Sequence, residues 1–126
     1  MNILYAEDCD DMAKLVFGTL SSLYPKLYVV RLCNGVDAFH EFRLKELIPK
    51  GTSYQMLITD NIMPSMCGVE LAKLIRTEYN STIPIIMHTS SNLNEIDISN
   101  LDGIAFKDDI KGLVKLVGNM LNYIGT

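Results

Sequence analysis

Short apolar runs alternate with segments of helical period along the whole chain, and this alternation restricts the fold more than any other feature. Strands that alternate with helices give βα units and a parallel sheet. The runs expected as strands are Asn2–Ala6, Leu27–Leu32, Gln55–Thr59, Ile83–Met87 and Ile104–Phe106. The Ile83–Met87 run is apolar throughout, as a central parallel strand covered on both faces requires.

Between them lie helical patterns. Asp10 and Asp11 are placed to cap a first helix with Met12, Leu15, Val16, Leu20 and Leu23 on its apolar face. Asn34–Gly35 closes the second strand and leads into a helix whose expected core residues are Val36, Phe39, Phe42 and Leu47. Gly68 opens a third helix with Leu71, Leu74 and Ile75 on one side. Asp109 is placed to cap a last helix carrying Ile110, Leu113, Val114, Val117 and Leu121. Ser90–Asp102 fits neither period, so its helix is expected to be short or irregular.

At 126 residues, 48% hydrophobic and 21% charged, the chain is expected to form one domain over 1–126 with a real core. A net charge of −4 without a basic block disfavours nucleic-acid binding, which needs clustered Lys and Arg. No stretch approaches bilayer-spanning length, and the start lacks the basic character of a signal peptide. A cytoplasmic location without membrane contact is the expectation. Cys9, Cys33 and Cys67 are odd in number and widely spaced, which points to free thiols rather than to a disulfide framework or a zinc site.

Glu7–Asp8 ends the first apolar run and Asp60 ends the third. If both runs are parallel strands, three carboxylates meet at the carboxyl edge of the sheet, where open α/β sheets bind ligands. Such carboxylates repel one another unless a divalent cation or a shared proton intervenes. The pattern reads as a small acidic site suited to Mg²⁺.

On these residues the chain resembles the receiver domains of two-component response regulators. The resemblance rests on Glu7–Asp8 and Asp60–Asn61–Ile62–Met63–Pro64 with Gly68, on Thr89 after the fourth run and on Lys107 after the fifth. Asn34-Gly-Val-Asp-Ala38 also looks like the family's turn into the second helix. It implies a flavodoxin-like (βα)5 sandwich, a five-stranded parallel sheet in order 2-1-3-4-5. It further implies a phosphoacceptor Asp60, with a histidine kinase or phosphotransfer protein as donor. Mg²⁺ would be held by Glu7, Asp8, Asp60 and the backbone carbonyl of Ile62. Thr89 would contact the phosphoryl group through its hydroxyl and Lys107 through its charge. Ile62 and Ser91 stand where the family varies its phosphoryl lifetime, and an Ile at the first position predicts slow self-dephosphorylation.

Three departures bear on this likeness. Lys107 is followed by Asp108 where the family usually has Pro, so the reach of the ammonium must be set by other residues. Ile104 stands where many members carry a mobile aromatic, while Phe106 lies two residues on and is expected on the opposite strand face. Ser90–Asp102 is shorter than the family's usual connection.

The implied function is a signalling switch with an unidentified downstream protein. It is not an enzyme beyond its own phosphoryl transfer and dephosphorylation, and no output domain is expected within 1–126. The alternative is a receiver-like interaction module that no longer switches. A Mg²⁺-dependent phosphohydrolase would need a second Asp two residues after its nucleophile, where this chain has Ile62. Flavin binding would need a phosphate loop after the first strand, and none is present. His88 is expected as a packed, hydrogen-bonded core residue, His40 as exposed, and the scattered Met residues as core filler.

Overall fold

The computed structural model describes residues 1–48, 53–90 and 96–124. The elements follow in the order β1 (Asn2–Ala6), α1 (Asp10–Leu23), β2 (Tyr28–Leu32), α2 (Gly35–Leu47), β3 (Met56–Thr59), α3 (Gly68–Tyr79), β4 (Ile85–Thr89), β5 (Gly103–Phe106) and α4 (Ile110–Ile124). The strands form one parallel sheet in the order β2-β1-β3-β4-β5, as expected. β1, β3 and β4 lie inside the sheet and are buried almost throughout, whereas the edge strands β2 and β5 are only partly covered.

Alternation along the strands divides the core into two layers. On one face Ile3, Tyr5, Met56, Ile58, Ile86 and Ala105 pack against Val16 and Leu20 of α1 and Leu113 and Val117 of α4. On the other, Leu4, Ala6, Leu57 and Ile85 meet Phe42 of α2 and Leu71, Ala72 and Ile75 of α3. Asp109 caps α4, its Oδ1 accepting from Gly112 N at 3.0 Å.

Several expectations are corrected. The α1 cap is Cys9, not Asp10 or Asp11; the Glu7 carboxylate accepts from Cys9 N, while Asp10 pairs with Arg31. Leu15, Leu23 and Leu47 are exposed. A helical period identifies an apolar stripe but not how far the sheet beneath it extends, and the covered stripe of α1 is Ala13, Val16 and Leu20. β4 runs two residues further than expected, taking in His88 and Thr89.

Phe106 lies on the same face as Ile104, since residues two apart share a face; the register sets it beside Thr89. Among the described residues, 96–102 contain a turn and no helix. The remainder of that connection, including Ser91, lies outside the described residues.

Arg76 holds this connection in place. Its guanidinium donates to the carbonyls of Ser81, Ile83 and Asn100 and to Asp102 Oδ2. Asp102 Oδ2 in turn accepts from Ile85 N at the start of β4.

Candidate acidic site at the sheet's carboxyl edge

The strand order reverses between β1 and β3, and a crevice opens at their carboxyl ends. Ala6 pairs with Thr59, so Glu7 and Asp60 leave neighbouring strands at the same level. Backbone hydrogen bonds continue past the strand ends: Glu7 N to Leu32 O at 3.0 Å, Asp60 N to Ala6 O at 2.9 Å, and Lys107 N to Thr89 O at 3.1 Å. The main chain that carries these side chains is therefore fixed by the sheet, not by a free loop.

Carboxylate oxygens of Glu7, Asp8 and Asp60 lie within 4.8 Å of one another. Glu7 is fully buried and Asp60 nearly so, while Asp8 is exposed. Lys107 reaches into the cluster, its Nζ 2.7 Å from Asp60 Oδ2 and 3.0 Å from Glu7 Oε1. Burial pushes the Glu7 carboxyl above its ordinary value, against the pull of Cys9 N and Lys107. Burial pulls the Lys107 ammonium down, but hydrogen bonds to Asp60 and Glu7 outweigh it and hold the group above its ordinary value. A turn in which Asp109 N donates to Phe106 O sets this reach, with Asp108 following the lysine.

The loop after β3 is anchored at several points. Asp60 Oδ1 accepts from Asn61 N at 2.7 Å, and Asn61 Oδ1 accepts from Val69 N in the first turn of α3. Ser65, with φ of 68°, adopts the left-handed conformation that Ser rarely visits. Its hydroxyl donates to Asn34 Oδ1, the same oxygen that caps α2 through Asp37 N. Arg31 braces the other side, donating to Glu7 O at 2.8 Å and to Asp10 Oδ1 at 2.8 Å.

The structure thus brings together Glu7, Asp8, Asp60 and Lys107. Thr89 is buried at the end of β4, the strand next to β3. The Ile62 side chain is exposed on the β3–α3 loop. Sequence reasoning overlooked Arg31 as a brace; the single cation in an otherwise apolar strand was the available signal. His88 is fully buried as expected, its ring close to the Lys107 and Asp60 charges and to the Phe106 backbone.

The chain is 34% identical over 92 residues to the chemotaxis protein CheY1 of Helicobacter pylori, covering 71% of this chain and 68% of that protein. It belongs to the response-regulator receiver family. A CheY homologue of Campylobacter jejuni is 34% identical over 91 residues, 71% of this chain and 65% of that protein. The osmosensing histidine protein kinase SLN1 of Saccharomyces cerevisiae is 35% identical over 79 residues; the match covers 60% of this chain but 6% of the kinase. The chain therefore spans a small part of the kinase and about two thirds of each chemotaxis protein. No protein-family model matches it.

Among solved structures, the response regulator TrrA of Thermotoga maritima, in complex with Mg²⁺–BeF, superposes with a TM-score of 0.79 at 23% identity, covering 95% of this chain and 98% of that one. The receiver domain of the hybrid histidine kinase CckA gives 0.71 at 24% identity, covering 96% and 99%. These likenesses establish the receiver fold. No described helix is long and apolar enough to cross a membrane.

Proposed function

We propose that this receiver is a phosphoacceptor switch and that Asp60 takes a phosphoryl group from a phosphohistidine of a histidine kinase or phosphotransfer protein. The observation that carries this reading is the convergence of the Glu7 and Asp8 carboxylates and the Lys107 ammonium on Asp60 at the switch point of the sheet. A carboxylate oxygen of Asp60 attacks phosphorus and forms a P–O bond. The P–N bond to the donor imidazole breaks, its electron pair stays on nitrogen, and an acyl phosphate results.

The donor set fits Mg²⁺. All its atoms are hard oxygens, they lie close enough to share one ion, and the burial of Glu7 leaves a negative charge that a cation relieves. Glu7, Asp8, Asp60 and the Ile62 carbonyl would hold it, and it would supply charge neutralisation at the phosphoryl oxygens. Lys107 is already placed to meet the charge that arrives on Asp60. Thr89 is the residue assigned to contact a phosphoryl oxygen through its hydroxyl. As a signalling module the chain would act by shifting a two-state equilibrium seen by a partner protein, with no reaction beyond its own phosphoryl transfer and dephosphorylation.

Mass spectrometry after incubation with acetyl phosphate and Mg²⁺ tests the reading. A single phosphate adduct in the wild type, absent from Asp60→Asn, supports it; no adduct in either overturns it. A finer expectation concerns lifetime. The apolar Ile62 side chain offers no hydrogen bond to an attacking water, so phosphorylated wild type is expected to be long-lived. Ile62→Asn is expected to shorten that lifetime several-fold when loss of the adduct is followed over time.

A further inference from the structure

The β3–α3 loop rests on α2 at a strained residue. Met66 N donates to Pro64 O at 2.8 Å, which closes a tight turn with Ser65 at its centre. With φ of 68° at that centre the turn is of the rare, strained kind, and Ser lacks the freedom of Gly to adopt it. Such a residue persists only where its surroundings hold it in place.

What holds it is the start of α2. The Ser65 hydroxyl donates to Asn34 Oδ1 at 3.1 Å and accepts from Val36 N at 3.4 Å. Asn34 Oδ1 also accepts from Asp37 N at 2.8 Å, so one oxygen serves both the helix cap and the loop. Gly35 lets the two segments meet: a Cβ there would lie 2.2 Å from the Met66 carbonyl oxygen and 2.6 Å from the Met66 Cβ.

The other end of the loop is tied to the acidic site. Asn61 N donates to Asp60 Oδ1, while the Asn61 carbonyl and side-chain oxygens accept from Gly68 N and Val69 N. Residues 61–67 are thus anchored at their ends by Asp60 and α3, and at Ser65 by α2. Ile62, whose carbonyl is assigned to the cation, lies in the span between Asn61 and Ser65.

We propose that Ser65 is a positioning residue of this site, its contact with Asn34 latching the β3–α3 loop to the first turn of α2. The latch holds Asn61, and the Ile62 carbonyl after it, in place beside Asp60. Because Asn34 Oδ1 is shared, a cation that fixes the loop also tightens the cap of α2, and by linkage a loosened cap weakens the cation. The first turn of α2 then reports whether the site is loaded. The part that concerns the cation rests on the function proposed above; the hold on Asn61 does not.

The first arm of the test is metal-free. Exchange of amide protons with water is followed by ¹⁵N-resolved NMR in wild type and Ser65→Ala, a change at an exposed side chain. The Asn61 amide is expected to exchange about three- to tenfold faster in the variant, the weight of one hydrogen bond. The Glu7 amide, across the crevice on Leu32 O, should not change. An unmoved Asn61 overturns the proposal, since the contact then serves α2 alone. Equal acceleration at Glu7 also overturns it, as general loosening.

The second arm titrates Mg²⁺ by calorimetry into wild type, Ser65→Ala, Asn34→Ala and the double variant. Ser65→Ala is expected to weaken binding about three- to tenfold, and the double variant to bind no worse than Asn34→Ala alone. Additive losses overturn the latch, because residues that act through one contact do not add. Ser65→Gly relieves the turn but lacks the hydroxyl, so its metal-free Tm should match or exceed that of Ser65→Ala while its Mg²⁺ binding stays as weak. Wild-type affinity in Ser65→Gly overturns the proposal.

Saturating Mg²⁺ should slow exchange at Asp37 in wild type and leave it unchanged in Ser65→Ala; the same response in both overturns the coupling. A wild type that binds no Mg²⁺ refutes the metal reading above, and the Asn61 amide still decides the role of Ser65.

Discussion

A single absent methyl group decides where Asp60 can stand. A Cβ on Gly68 would lie 2.1 Å from the Asp60 carbonyl oxygen and 3.1 Å from the Asn61 Cα, both backbone atoms that cannot swing aside. The close approach lets Gly68 N donate to Asn61 O and draws the start of α3 against the loop that follows Asp60. Gly68→Ala is expected to destabilise the fold by about 2–3 kcal/mol through overpacking, read from urea unfolding, and to slow any reaction at Asp60.

Glu7 sets the other residue-scale expectation. Its carboxyl is raised by burial, so the folded state holds that proton more tightly than the unfolded chain. Stability from this group is thus present at low pH and lost as pH rises through its folded value. Without metal, wild type should lose stability relative to Glu7→Gln as pH rises above the ordinary glutamate range. A stability difference that stays flat over that rise would show that Glu7 titrates normally.

Between elements, Arg76 acts as a tie. It ties α3 to the approach to β4 and, through Asp102, to the approach to β5. The carbonyls it serves would otherwise lose partners, and hydrogen bonds to charged groups contribute about 1.5–3 kcal/mol each at most. Because the pair is partly exposed, Arg76→Ala is expected to cost about 2 kcal/mol in all. Amide exchange at Ile85 should accelerate while that of β1 changes only with global stability.

None of this was legible in the sequence, where Arg76 and Asp102 are lone charges 26 positions apart. The strands were legible because apolar runs and turn residues are local signals. The site was legible because strand ends place Glu7, Asp60 and Lys107 by topology alone. What escaped depends on register and on neighbours: the sheet-facing stripe of α1, and the common face of Ile104 and Phe106. A periodic pattern records which residues share a side, not what stands opposite them.

At the scale of the whole molecule, the sheet keeps its charged groups at one edge and its two apolar layers away from it. The net charge of −4 is modest, yet three carboxylates crowd a single crevice, so the fold carries local repulsion that Lys107 offsets only in part. A cation that binds the folded chain and not the unfolded one must then stabilise the entire domain. At a Mg²⁺ concentration about 100 times its dissociation constant the gain is about 2.7 kcal/mol, or roughly 10 °C in Tm for a domain of this size.

Asp8 separates this gain from ordinary stability. Its carboxylate is exposed, whereas Glu7 and Asp60 also hold Lys107 and backbone amides. Asp8→Asn should therefore leave the metal-free Tm within about 1 or 2 °C of wild type, as surface changes do, while removing most of the Mg²⁺-dependent rise. Thermal melts with Mg²⁺ and with chelator, run on both proteins, check this. A variant that keeps the full rise would place the cation elsewhere on the chain, and a wild type without any rise would remove Mg²⁺ from the site.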